Sequence, residues 1–181
     1  MANTGFFNPE EIKQLIGVHE GMHIADFGSG SGDIAIMLAK MVGNDGAVVA
    51  LDVQPSAIEA VQSRAKHLKL ENIQAVRANL EIHGGSKLPD TSQDAVFVAN
   101  ILWQTPKKSA IIAEAFRILK HGGTLAAVEW TPSSDRAHSF GPPQEARIGR
   151  DELKRLFKIA GLASVSDFAA GAFHYGLLAK K

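Results

Sequence analysis

Between Ile24 and Leu38 the chain reads IADFGSGSGDIAIML: an apolar run of strand length, three glycines on alternate positions, then an apolar segment of helical period. A strand fed straight into a helix through glycines leaves few architectures open. Gly28, Gly30 and Gly32 let the backbone bend sharply and approach a ligand with no Cβ in the way. The same alternation continues downstream. GAVVALDV (46–53), NIQAVRAN (72–79), DAVFVAN (94–100) and TLAAVEW (124–130) read as further strands. Helices are expected over Ser31–Met41, Pro55–Leu68 and 105–123, the last with Thr105 as cap, Pro106 at its start and glycines at its end. RDELKRLFKIAG (150–161) forms one more helix, and 164–181 forms two strands joined at Gly171. A leading helix, NPEEIKQLIG, is capped by Asn8 with Pro9 and Glu11 behind it and closes at Gly17.

Strands alternating with helices of this length specify an α/β fold. It is a doubly wound, seven-stranded, mostly parallel sheet with the first strand near its centre, ending in an antiparallel hairpin whose last strand, 173–179, inserts beside strand five. The length of 181 residues suits a single domain over 1–181, large enough to bury about 70% of its unfolded surface. Ligands of such sheets bind beyond the carboxyl ends of the strands, where the strand order reverses.

Composition narrows the ligand and the setting. Lys and Arg number 19 against 19 Asp and Glu, so no net field draws the chain to nucleic acid or an anionic membrane. Without cysteine there is no disulfide and no thiolate metal site, and no metal is assigned. The N-terminus lacks a signal-like basic and apolar run, and no segment is long and apolar enough for a membrane span; a cytoplasmic location is the expectation. A dinucleotide fingerprint would place glycine at 33, where this chain has Asp33, an acid ill suited to a pyrophosphate. Asp52, twenty residues past Gly32 at the end of strand two, is placed to accept hydrogen bonds from a ribose diol. The two features together indicate an adenosyl ligand without a pyrophosphate.

DFGSGSG with Asp52, then DAVFVANILWQ, then RILKHGGTLAAVEW, together resemble the class I S-adenosylmethionine-dependent methyltransferases with their Rossmann-like fold, over nearly the whole chain. Within that family the pattern is similar to a small-molecule branch of quinone C-methyltransferases and arsenite methyltransferases, which often carry a segment like FGPPQEARI (140–148). The absence of cysteine argues against arsenite as acceptor. Strand four ends in Ala99-Asn100-Ile101-Leu102 rather than the Asn/Asp-Pro-Pro-Tyr of amino-group methyltransferases.

The resemblance implies S-adenosylmethionine as cofactor. It places Asp26, Gly28 and Gly30 around the methionine part, with Phe27, Ser29 and Gly32 in the same turn, and puts Asp52 on the ribose. Val53 would line an adenine face, Asn79 with Leu80 would meet the adenine edge, and Asn100 and Ile101 would flank the sulfonium. Where the family commonly has an acid at the end of strand three, this chain has Asn79, whose side-chain oxygen can still accept a bond. Phe7, with Phe6, would fold over the cofactor. Candidate catalytic groups lie after strands four and five: Asn100, Trp103, Gln104, Glu129 and His138. Methyl transfer needs alignment and exclusion of water, and a base only where the acceptor must lose a proton. The expected acceptor is a small or lipid-like molecule, with the long 131–147 loop as lid or a homodimer partner in its place. A protein or RNA acceptor, and a non-catalytic binding domain, are the alternatives.

Overall fold

The computed structural model of the chain describes residues 16–132 and 141–181. The expected leading helix up to Leu15, together with Phe6, Phe7 and His138, lies outside them.

The strands are β1 (His23–Phe27), β2 (Ala47–Asp52), β3 (Ile73–Arg77), β4 (Gln93–Ala99), β5 (Leu119–Trp130), β6 (Ala163–Ala169) and β7 (His174–Lys180). Helix α1 (Asp33–Val42) follows β1, α2 (Pro55–His67) follows β2, α3 (Lys108–Ile118) follows β4 and α4 (Arg150–Ala160) precedes β6. One sheet runs in the order β3-β2-β1-β4-β5-β7-β6. β1 to β5 pair in parallel, and β7 runs antiparallel between β5 and β6, with Leu177 opposite Ala127. The doubly wound fold and the inserted last strand are as the sequence pattern predicts.

Period-two alternation sends successive residues to opposite faces, each covered by its own helices. Ala25, Phe27, Val96, Val98, Leu125 and Ala127 pack with Ile112 and Ala115 of α3 and Leu153 and Phe157 of α4. Ile24, Ala95, Phe97, Ala126 and Val128 pack on the other face with Ala35, Leu38 and Val42 of α1 and Val61 of α2. Burial on both faces explains why these strands read as nearly continuous apolar runs.

Three boundaries move. The helix expected over 105–123 is shorter: Leu102–Gln104 form a 3-10 turn, α3 begins at Lys108, and Thr105 Oγ1 accepts the Lys107 N–H (2.9 Å) instead of capping the helix. At the other end Leu119, fully buried, leaves the helix to pair with Gln93, and the register then shifts so that Thr124 faces Ala95. His121 and Gly122 thus form an exposed bulge in a strand that starts five residues before the expected TLAAVEW segment. Strand β3 stops at Arg77, leaving Ala78–Leu80 beyond the sheet edge.

Candidate functional site

The reversal in strand order, with β2 on one side of β1 and β4 on the other, opens a cleft of about 590 Å³ at the carboxyl ends of the strands. Its volume suits a small molecule or cofactor. The glycine turn forms its floor. Gly28 and Ser29 donate their N–H groups to Leu51 O (2.8 and 3.0 Å), which folds the turn back over the end of β2. At Gly28 (φ +76°) a Cβ would stand 2.2 Å from Ile101 Cγ2, so only glycine allows the β1 and β4 ends to meet. At Gly30 (φ +50°) a Cβ would meet nothing within 4 Å. There the backbone is bare toward open space, as a cradle for a ligand requires.

Asp52 closes β2. Its Oδ2 accepts the Gly30 N–H (3.0 Å) and its Oδ1 the Gln54 N–H (2.9 Å). Each oxygen is thereby oriented and keeps a further lone pair able to accept a hydrogen bond. Asp26, one turn behind, is 1% exposed; it accepts the Ala35 N–H at the start of α1, and its Oδ2 has no hydrogen-bond partner among the described residues. Burial pushes its carboxyl up to about 7, against the pull of the Ala35 bond and with a further push from Asp52. A cationic ligand group reaching Oδ2 would supply what burial has removed.

The adenine side of the expected site is walled by Val53, Gln54, Ala78, Asn79, Leu80 and Glu81. Asn79 Oδ1 holds the Glu81 N–H (3.0 Å), which shapes the turn and leaves one lone pair free to accept. Ala99, Asn100, Ile101, Gln104, Thr105 and Ile111 form the opposite wall. Asn100 sits in the left-handed region (φ 56°), which asparagine tolerates better than most residues, and its buried Oδ1 has no partner among the described residues. Gln104 Nε2 donates to Asn100 O (3.0 Å) and closes the turn.

Other expected residues sit elsewhere. The Phe27 side chain is fully buried in the core and forms no part of the cleft wall. Ser29 and Gly32 shape the turn from behind: Ser29 is buried, and a Cβ on Gly32 would press on Val61 Cγ2 at 2.8 Å. Trp103 is half-buried outside the wall. Asp33, read from the sequence as an obstacle to pyrophosphate, faces away and pairs with Arg64 (2.6 Å). Glu129 lies beneath the turn that follows β4, fully buried, with Oε1 accepting the N–H groups of Ile101 (3.1 Å) and Leu102 (2.9 Å). Burial pushes its carboxyl up to about 7 despite those two bonds and nearby Lys108. Gln54, Ala78, Glu81, Ala99, Thr105 and Ile111 are wall residues that the sequence reading did not assign. Adjacency to Asp52 could have flagged Gln54, whereas Ile111 of α3 reaches the wall only through packing.

The 131–147 loop leaves β5 on the cleft edge. Arg147 ties its two ends, donating to Thr131 O (2.9 Å) and Pro142 O (3.0 Å) while stacking over Trp130 at 5.5 Å. Ser133–Phe140 of that loop lie outside the described residues.

Comparison with known proteins agrees with this geometry. Residues 18–169 match the family model described as a methyltransferase domain. A crystal structure of an S-adenosylmethionine-dependent methyltransferase from Aquifex aeolicus is 27% identical and superposes with a TM-score of 0.85, covering 97% of this chain and 90% of that one. A demethylmenaquinone methyltransferase of Listeria welshimeri is 29% identical over 121 residues, 66% of this chain and 50% of that protein. A ubiquinone/menaquinone biosynthesis C-methyltransferase of Marinomonas is 30% identical over 66% of this chain and 47% of its own length. The chain thus spans about half the length of these quinone-pathway relatives. An arsenic(III) methyltransferase from Chlamydomonas reinhardtii shares the fold (TM-score 0.70, 23% identity, 90% of this chain and 64% of that one).

Proposed function

The chain belongs to the methyltransferase domain family, and on that premise we propose that it moves the methyl group of S-adenosylmethionine to a small or lipid-like acceptor. The observation that carries the reading is the paired arrangement of Asp52, held by the N–H groups of Gly30 and Gln54, with the bare backbone of Gly30 beside it. It offers a ribose-sized diol two oriented acceptors next to an open cradle.

On this reading Asp52 holds the ribose, Val53, Asn79 and Leu80 hold the adenine, and Asp26 with the glycine turn faces the methionine ammonium and carboxylate. The orphaned Asp26 Oδ2 fits that cation. Bound S-adenosylmethionine supplies an electrophilic methyl on a sulfonium, which leaves as a neutral thioether. The chain contributes binding, orientation and exclusion of water. Asn100 and Ile101 border the reacting end, and Gln104 positions rather than takes protons, since an amide is no base at neutral pH.

The carboxylates lining the described cleft are Asp52 and Glu81, and Glu81 pairs with Lys107 (3.6 Å). Asp52 being on the ribose, the described wall suits an acceptor whose attacking atom is already electron-rich, such as an ionised phenol or enol. The relatives' names place their methyl transfer on demethylmenaquinone and in ubiquinone/menaquinone biosynthesis. Lys107 and Lys108, just past the cleft residue Thr105, are tied to Glu81 and to Thr105 O (3.0 Å), which favours a small acceptor over a nucleic acid.

The test is direct. The protein is incubated with S-adenosylmethionine carrying a deuterated methyl and a panel of hydroxylated aromatics, quinols and peptides, and the products are read by mass. Labelled methyl on an aromatic or quinol supports the reading. Label on peptides alone, or calorimetry showing no binding of S-adenosylmethionine, overturns it.

A further inference from the structure

Glu129 carries one of the candidate base positions of the sequence, yet its place in the fold gives it different work. It is the penultimate residue of β5, fully buried, and it is not part of the cleft wall. Its Oε1 faces the backbone of the turn after β4, where Asn100 is left-handed (φ 56°) and Ile101 right-handed (φ −113°, ψ −21°). Successive residues of opposite hand point their N–H groups into a common concavity that binds anions. Glu129 fills that concavity, taking the N–H groups of Ile101 and Leu102 on one oxygen. The contact then continues outward. Ile101, held at its N–H, places its side chain against the bare Cα of Gly28, where a Cβ would stand only 2.2 Å from Cγ2.

We propose that Glu129 is a positioning residue: by seating the backbone N–H groups of Ile101 and Leu102 it fixes the turn after β4, so that Ile101 closes on the glycine turn and sets the two cleft walls in register. The role as part of a methyl-transfer site rests on the function proposed above; the role as anchor of the turn does not. Two groups near the carboxyl are bonded elsewhere. Tyr175, its register partner on β7, spends its hydroxyl on Ile148 O (2.9 Å), and Lys108 gives its ammonium to Thr105 O. The Oε2 atom is buried with no partner among the described residues, so one oxygen does the holding.

This assignment separates reach from charge, which a base does not. Glu129→Gln keeps an oxygen acceptor at the same reach without the charge. Glu129→Asp keeps the charge but draws it back by one methylene. Three readouts are taken on each variant and the unaltered protein: hydrogen exchange at the Ile101 and Leu102 amides, calorimetric affinity for S-adenosylmethionine, and kcat with KM on an acceptor found in the panel above. With Gln, amide protection, affinity and kcat stay within about threefold of the unaltered protein, because the acceptor oxygen remains. With Asp, protection of those two amides and cofactor affinity each fall about tenfold or more, while amides in β1 and β2 keep theirs. Asp matching the unaltered protein at both amides overturns the proposal. So does the reverse order, with Gln losing kcat at unchanged KM and Asp active, since that marks a base. If the unaltered protein binds no S-adenosylmethionine, the methyltransferase reading falls, and the amide protection of the two variants still decides whether Glu129 anchors the turn.

Discussion

The loops that frame the cleft hang on two buried carboxylates, and the two are held very differently. Glu114, on α3, grips the loop after β3: it accepts the N–H groups of Gly84 (2.9 Å) and Ser86 (3.0 Å), the Ser86 hydroxyl (2.6 Å) and both Nε and Nη2 of Arg117 (2.9 and 2.7 Å). Glu129 grips the turn after β4 with two N–H donors on one oxygen. Burial acts on both in the same direction, raising the carboxyl. For Glu114 the Arg117 and serine bonds outweigh it and hold the group down to about 2; for Glu129 two amides do not, and it rests at about 7. What separates them is a bonded cation and the number of donors, since burial alone penalises any unpaired charge. One loop is stapled through a bonded ion pair, the other through a carboxyl that has only backbone amides.

The largest effect should come from cutting the staple. Glu114→Ala leaves Arg117, only 13% exposed, without its main partner, and should cost about 3 to 5 kcal/mol of stability in urea unfolding. A loss below about 1 kcal/mol would show that the network is ornamental and that the contrast with Glu129 has no energetic content. Next comes Asp52, the half-buried carboxylate that presents its remaining lone pairs to the cleft while holding two backbone amides. Asp52→Ala should weaken S-adenosylmethionine binding roughly 10- to 100-fold by calorimetry, about 1.5 to 3 kcal/mol. Unchanged affinity would remove Asp52 from the site.

Titration sharpens the contrast because the two signs oppose. Glu114 has its folded value below the ordinary 4.5, so the stability it contributes is complete above pH 4.5 and is lost as pH falls toward 2. Glu129 is raised, so between pH 4.5 and 7 the unfolded chain has released a proton that the folded chain still holds, and stability falls as pH climbs through that window. Asp26, raised from 3.8 to about 7, adds a fall of the same sign. Each group contributes a slope of at most about 1.4 kcal/mol per pH unit. Glu129→Gln should flatten the upper window and leave the acid limb intact; a flattened acid limb instead would reverse the assignment. The smallest effect is expected at Asp33, whose exposed pair with Arg64 should be worth only about 0.2 to 1 kcal/mol. Asp33→Ala should leave cofactor affinity unchanged, since the side chain turns from the cleft, and a measurable gain in binding would show that its charge is felt there after all.

Much of this protein was legible along the chain. Strand-length apolar runs between helical periods specify the doubly wound sheet, because each run must be buried on both faces. The glycine turn and Asp52 mark the cleft because both lie at strand ends, where a parallel sheet always presents its loops together. The C-terminal hairpin follows from its turn at Gly171, and β7 slots beside β5 because its apolar run, unlike the exposed β6, needs cover on both sides.

What only the tertiary structure decided are the choices made between competing partners. ILKHGG reads as the end of a helix, but Leu119 gains full burial by pairing with Gln93, and the helix yields to a bulged strand. LWQTP reads as the approach to a helix cap, but Glu129 takes the N–H of Leu102, and a 3-10 turn forms first. A sequence shows that Glu129 lies one residue from the end of a strand at the cleft edge. Whether its carboxyl enters the cleft or turns under it depends on which donors stand within reach, and those donors, Ile101 and Leu102, come from another strand's end.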